Sequence, residues 1–164
     1  MRPSRCLAAL LLATMLPAPA PAQPAPGAFV EIVPTEGRAA VHVATAQVVR
    51  IGRAEGATVI DTTSFVQQRS AEALETVARR MAAAGLRLLP LTDPSGGRVY
   101  LVPDRIVLVR DSGERHAAGA RAAIVMVGLR YGFDVAVRET VEQVMAALRR
   151  GDAPPEAPAA AAPR

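Results

Sequence analysis

Apolar residues recur at helical spacing in two stretches, and each stretch closes a series of short alternating segments. The first set is Leu74, Val77, Ala78 and Met81; the second is Val141, Val144, Met145 and Leu148. Steps of i, i+3, i+4 and i+7 put all four side chains of a set on one helix face. Such a face must be buried against something, and the preceding segments are what the chain offers. The flanks fit two helices. Ser70 is placed to cap the first, with Glu72 and Glu75 early, Arg79 and Arg80 late, and Gly85 to end it. Thr140 and Gln143 form a capping box for the second, Glu139 and Glu142 come first, Arg149 and Arg150 last, and Gly151 closes it.

The segments ahead of the helices alternate with the two-residue period of strands. In the first half they are residues 29–33, 39–44, 47–51, 58–62 and 65–68, with turns at PTEG 34–37 and RAEG 53–56. In the second half they are 86–92, 98–102, 105–110, 121–127 and 133–137. There DPSGG 93–97, Pro103-Asp104, the loop 111–119 and GLRYG 128–132 separate them. Pro90 cannot donate to a ladder and predicts an edge strand. The order of patterns repeats, so the expected fold class is α+β. Two tandem small antiparallel, partly barrel-like β-sheets are expected, each closed by a C-terminal helix, over residues 29–85 and 86–150. A unit of about 60 residues is marginal alone, so the two should share an interface.

The ends read differently. Arg2 and Arg5 precede the apolar run LAALLLATML, which is too short to span a bilayer. Ala20-Pro21-Ala22 follows as an A-x-A site, which predicts a signal peptide over 1–22 cut between Ala22 and Gln23. The expected location is therefore periplasmic or secreted, with no stable membrane anchor after cleavage. Residues 23–28 read as a linker, and the Ala/Pro-rich residues 151–164 as a disordered tail. Cys6 is the only cysteine and falls within the removed segment, so no disulfide framework is expected.

Charge and composition narrow the partners. Removing Arg2 and Arg5 from the 19 basic residues leaves 17, all arginine, against 15 acids, and they are scattered along the chain. The aromatics are few: Phe29, Phe65, Phe133, Tyr100 and Tyr131. Neither a basic stripe nor a stacking platform is present, so no nucleic-acid partner is expected.

Several pieces of the second half occur together: Leu91-Thr92, Gly96-Gly97, VYLVPDRIVLV at 99–109, AAIVMV at 122–127 and VAVRETVEQVMAAL at 135–148. In this order they resemble the FlbD-type family of small flagella-associated proteins. The resemblance covers residues 86–150 well. It extends weakly over 29–84 through Gly37, VHVATAQVVRI at 41–51 and the Ser70 helix entry. It implies a small strand-rich fold and a flagellum- or envelope-associated accessory role.

Chemistry-bearing residues are sparse. His42 alternates with Val41 and Val43 and should point away from the core; His116 sits in the loop 111–119 and reads as a surface residue. No His/Cys cluster has ligand spacing, so no metal and no cofactor are expected. Glu114 and Asp111 beside His116 offer at most a weak cation site. Ser64, Ser70, Ser95 and Ser112 are each accounted for by a turn or a cap, and no G-x-S-x-G occurs. Asp61 and Asp134 interrupt apolar runs and read as outward or strand-end positions. Tyr100, Arg121, Arg130 and Tyr131 are the candidate partner surface, around the mouth of the second unit. No catalytic residue is nominated. The function expected is an exported, non-catalytic binding or scaffold module whose partner is another envelope protein, with open strand edges that could also pair copies of the chain. The alternative is a small enzyme in which Asp61, His42 or His116 converge in a cleft.

Overall fold

The computed structural model of the chain describes residues 28–37, 39–129 and 133–152. The expected signal segment, its Ala22–Gln23 cut and the tail from 153 lie outside those residues, as do Arg130 and Tyr131.

The first half forms β1 (Phe29–Ile32), β2 (Val41–Ala44), a 3-10 turn (Thr45–Gln47), β3 (Val48–Ala54), β4 (Ala57–Thr62), β5 (Gln67–Ser70) and α1 (Leu74–Ala83). The second forms β6 (Leu89–Thr92), β7 (Arg98–Leu101), a 3-10 turn (Pro103–Arg105), β8 (Ile106–Asp111), β9 (Ala122–Met126), β10 (Val135–Val137) and α2 (Val141–Asp152). Local chemistry accounts for several boundaries. Glu55 and Gly56 both have positive φ, as a two-residue hairpin turn of primed type needs, and they join β3 to β4. Gly85, at φ +89, donates to the Ala82 carbonyl while Leu86 donates to that of Met81, a Schellman ending to α1. β6, which carries Pro90, is an edge strand.

Pairing among the strands overturns the expected fold class. The largest sheet has five strands in the order β5-β4-β3-β7-β6, so it takes three from the first half and two from the second. β1 and β2 form a separate two-stranded sheet, and β10-β9-β8 a three-stranded one; among the described residues no sheet closes into a barrel. Nor does either helix close a sheet of its own. α1 packs on β1 and β3, and α2 on β6 and β8, so each helix bridges two different sheets. The molecule is mostly β, with the halves merged through β3 and β7 instead of standing as tandem units.

The cores show the same merging. Leu74, Val77 and Met81 are buried with Val30, Ile32, Val43, Val48, Ile51 and Ile60, and Val102 of the second half joins them. Val144 is buried with Leu91, Leu101, Ile124 and Val137, and Val49 of the first half joins that cluster. Each half thus completes its core with a valine from the other, which answers the marginal size of either alone.

Three helix details differ from expectation. α1 is preceded by Ala73 with no side-chain cap. Ser70, fully buried, ends β5; its hydroxyl donates to the Val33 carbonyl and accepts from the Glu72 N–H. Glu72 in turn binds the Val33 N–H at 2.9 Å and Arg80 at 2.5 Å, and the Arg80 hydrogen bond holds its carboxyl below the ordinary value against the upward push of burial. α2 continues past Gly151 to Asp152.

Candidate functional site

The merged sheet brings a cross-strand row of polar residues under a loop from the other half. Arg50 on β3 stands opposite Asp61 on β4, and Asp61 opposite Gln67 on β5. Facing positions share one side of a sheet, so the three side chains meet. Arg50 Nε donates to Asp61 Oδ2 at 2.6 Å, and Gln67 Nε2 to Oδ1 at 2.6 Å. Asp61 is only 3% exposed. The expected outward placement is therefore incorrect: the strand β4 is buried at all six positions, and Asp61 is admitted because both its oxygens are satisfied.

Two loops stand over this row. The β4–β5 turn is drawn tight by Thr62, whose N–H and Oγ1 both donate to the Val66 carbonyl. It holds Phe65 exposed at φ 63, a conformation that costs a non-glycine residue roughly 1 kcal/mol. The β9–β10 connection approaches from the second half. Gly128 there has φ +85, and a Cβ on it would lie 2.6 Å from Thr63 Cα. Only glycine permits that contact. Between the loops lies a cleft of about 500 Å³ lined by Asp61, Thr62, Phe65, Val66, Gln67, Gly128, Leu129 and Phe133. Phe65, Val66 and Phe133 are exposed, and the Arg50 guanidinium lies 5.7 Å from the Phe133 ring centre, a cation–π distance.

Asp134, next in the chain, is also drawn inward, with its side chain 4% exposed. Arg110 binds its Oδ2 at 2.5 Å, Arg115 binds the same oxygen, and His116 Nε2 stands 3.5 Å from it. Burial pushes the Asp134 carboxyl up, but the hydrogen bonds and charges of Arg110 and Arg115 outweigh it and hold the group below its ordinary value. The His116 side chain is 9% exposed, and its Nδ1 accepts the Gly113 N–H at 2.8 Å. That bond assigns the ring proton to Nε2, which has no hydrogen-bond partner among the described residues. The surface readings of Asp134 and His116 are corrected accordingly: the loop 111–119 folds back on the start of β10.

His42 is exposed on β2, and no described contact joins it to Asp61 or Asp134. Tyr100 is half-buried on β7 and packs on the first-half core, whereas Arg121 is exposed at the start of β9. No described contact joins these two, and Arg130 and Tyr131 lie outside the described residues. Among the described residues no three His, Cys, Asp or Glu side chains group as metal ligands. No helix there is long and apolar enough to cross a membrane. The cleft is not legible in the sequence because its walls come from two distant stretches, Asp61 to Gln67 on one side and Gly128, Leu129 and Phe133 on the other. The one local signal was a pair of phenylalanines, Phe65 and Phe133, beside turn residues in a chain poor in aromatics.

The arrangement suits binding. Both Asp61 oxygens accept hydrogen bonds, and two guanidinium groups hold the Asp134 carboxyl below its ordinary value. What remains open is mixed: two aromatic rings and a valine beside the exposed Gln67, over the Arg50–Asp61 pair. Comparison of the chain with protein-family models, with curated proteins and with solved structures found no match.

Proposed function

We propose that this protein is an exported, non-catalytic binding module of the bacterial periplasm, and that its cleft takes an apolar side chain of an envelope protein. Export rests on the N-terminal pattern: basic start, short apolar run and Ala20-Pro21-Ala22. The observation that carries the binding reading is Phe65, exposed and held at positive φ on one side of the cleft, opposite Phe133 on the other. A turn that spends conformational energy to keep a phenylalanine in water is most simply explained by a ligand that covers the ring.

Nuclear magnetic resonance titration of the protein with a panel of aromatic and aliphatic fragments tests it. The backbone signals of Phe65, Gln67, Gly128 and Phe133 should shift together, and Phe133→Ser should abolish the response while leaving the spectrum folded. Fragments that perturb none of these signals, or turnover of a hydrolase substrate panel, would overturn the reading.

A further inference from the structure

Beyond the cleft, and independent of it, we infer that copies of this chain join head to tail, with β8 of one copy pairing against β2 of the next. The two halves use the same registers. Val30↔Val43 and Ile32↔Val41 in β1–β2 match Leu89↔Leu101 and Leu91↔Val99 in β6–β7. The ladder shifts between Val48 and Arg50 in β3 and between Ile106 and Leu108 in β8. Val49 therefore corresponds to Val107, Ile51 to Val109, Val43 to Leu101 and Ala44 to Val102.

Within the chain, β3 is joined to β7 by the pairs Ile51↔Tyr100 and Arg50↔Leu101, extended by the Val102 N–H to the Val49 carbonyl at 3.0 Å. The corresponding edges are unpaired among the described residues, where β8 pairs only with β9, and β2 only with β1. Their backbone groups point the right way. Thr45 N–H bonds Ala28, so along β2 the groups of Val41 and Val43 face β1, and those of His42 and Ala44 face outward. Ser112 N–H bonds Arg121, so Leu108 and Arg110 face β9, and Val109 faces outward. Carrying the internal junction over sets Val109 against His42, and the Ala44 N–H against the Val107 carbonyl of the neighbour.

The side chains argue for the same occupant. Val49 is 0% exposed because the junction covers it; its counterpart Val107 is 58% exposed and still apolar. Leu88 packs on the core beside the junction, whereas its counterpart Phe29, one place before Val30, is 69% exposed. Each end thus carries, uncovered, an apolar group whose internal equivalent is buried, as Val49 is, or half-buried, as Leu88 is. A second copy supplies the missing strand with the register the molecule already uses. The contact joins two different surfaces, so it propagates as a chain or closes as a ring.

Paired cysteines on the full protein test it, in a Cys6→Ser background. Under oxidation, a mixture of Val107→Cys and Ala44→Cys proteins should form a disulfide dimer, and neither should do so alone. Sedimentation of the cysteine-free protein should show association that rises with concentration. Ala44→Pro should abolish it: Ala44 has φ −68, which suits proline, and the lost N–H faces the open edge. Val107→Glu, at an exposed position, should weaken association by about tenfold or more. Three results would each overturn the inference. They are a protein that stays monomeric at every soluble concentration, Val107→Cys cross-linking to itself, and Ala44→Pro leaving association unchanged.

Discussion

Asp61 shows how far a single residue's surroundings can depart from its sequence context. VIDTT reads as an alternating strand with its acid turned to water, yet the carboxylate sits under a loop that begins over sixty residues later. What stabilises it there is complementarity: one guanidinium and one amide, one for each oxygen. Removing the acid would leave the mostly buried Arg50 charge without its partner. Asp61→Ala should therefore lower the unfolding free energy by about 3 kcal/mol, measured by urea denaturation. The double change Arg50→Met, Asp61→Leu should recover most of that loss. The same lesson applies to Asp134 and His116, whose burial depends on the loop 111–119 returning to β10. That return is fixed by arginines at 110 and 115, not by any local pattern.

At the scale of elements, what was written in a short window could be read from it. The apolar face of α1 is where spacing puts it, because a helix presents every third or fourth residue to one side whatever lies beyond; on α2 Val144 is buried and Val141 and Leu148 half-buried, but Met145 is exposed. The capping box at the start of α2 is present, with the Thr140 N–H donating to Gln143 at 2.9 Å and the Gln143 N–H to Thr140 Oγ1 at 3.3 Å. Thr140→Ala should cost about 1 kcal/mol, seen as a lower thermal midpoint with unchanged far-ultraviolet dichroism at room temperature. Ser70 was misread for a physical reason. It lies four residues before Leu74, within capping distance in sequence, but the strand β5 runs through it and its hydroxyl is spent on tying Val33 and Glu72 to the sheet edge. A serine ahead of a helix has the same chemistry whether it caps the helix or ends a strand.

At the scale of the whole molecule, the halves share one central sheet and exchange core residues, Val49 in one direction and Val102 in the other. Neither half buries its apolar face without the other. Unfolding should accordingly be one cooperative transition, not two. Fluorescent labels placed on α1 and on α2 should report coincident denaturation midpoints; separated midpoints would mean that the halves are autonomous.

The sequence by itself determined the helices, most strands, their turns and the repeated order in which they come. Each of these is set by contacts within about ten residues, where side-chain spacing and turn chemistry act directly. Only the tertiary structure decided that β3 would turn to β7, that the helices would span sheets, and that Asp61, Phe65 and Phe133 would share a cleft. A strand's unpaired edge is chemically the same toward every candidate partner, so its choice rests on how all the apolar faces pack at once.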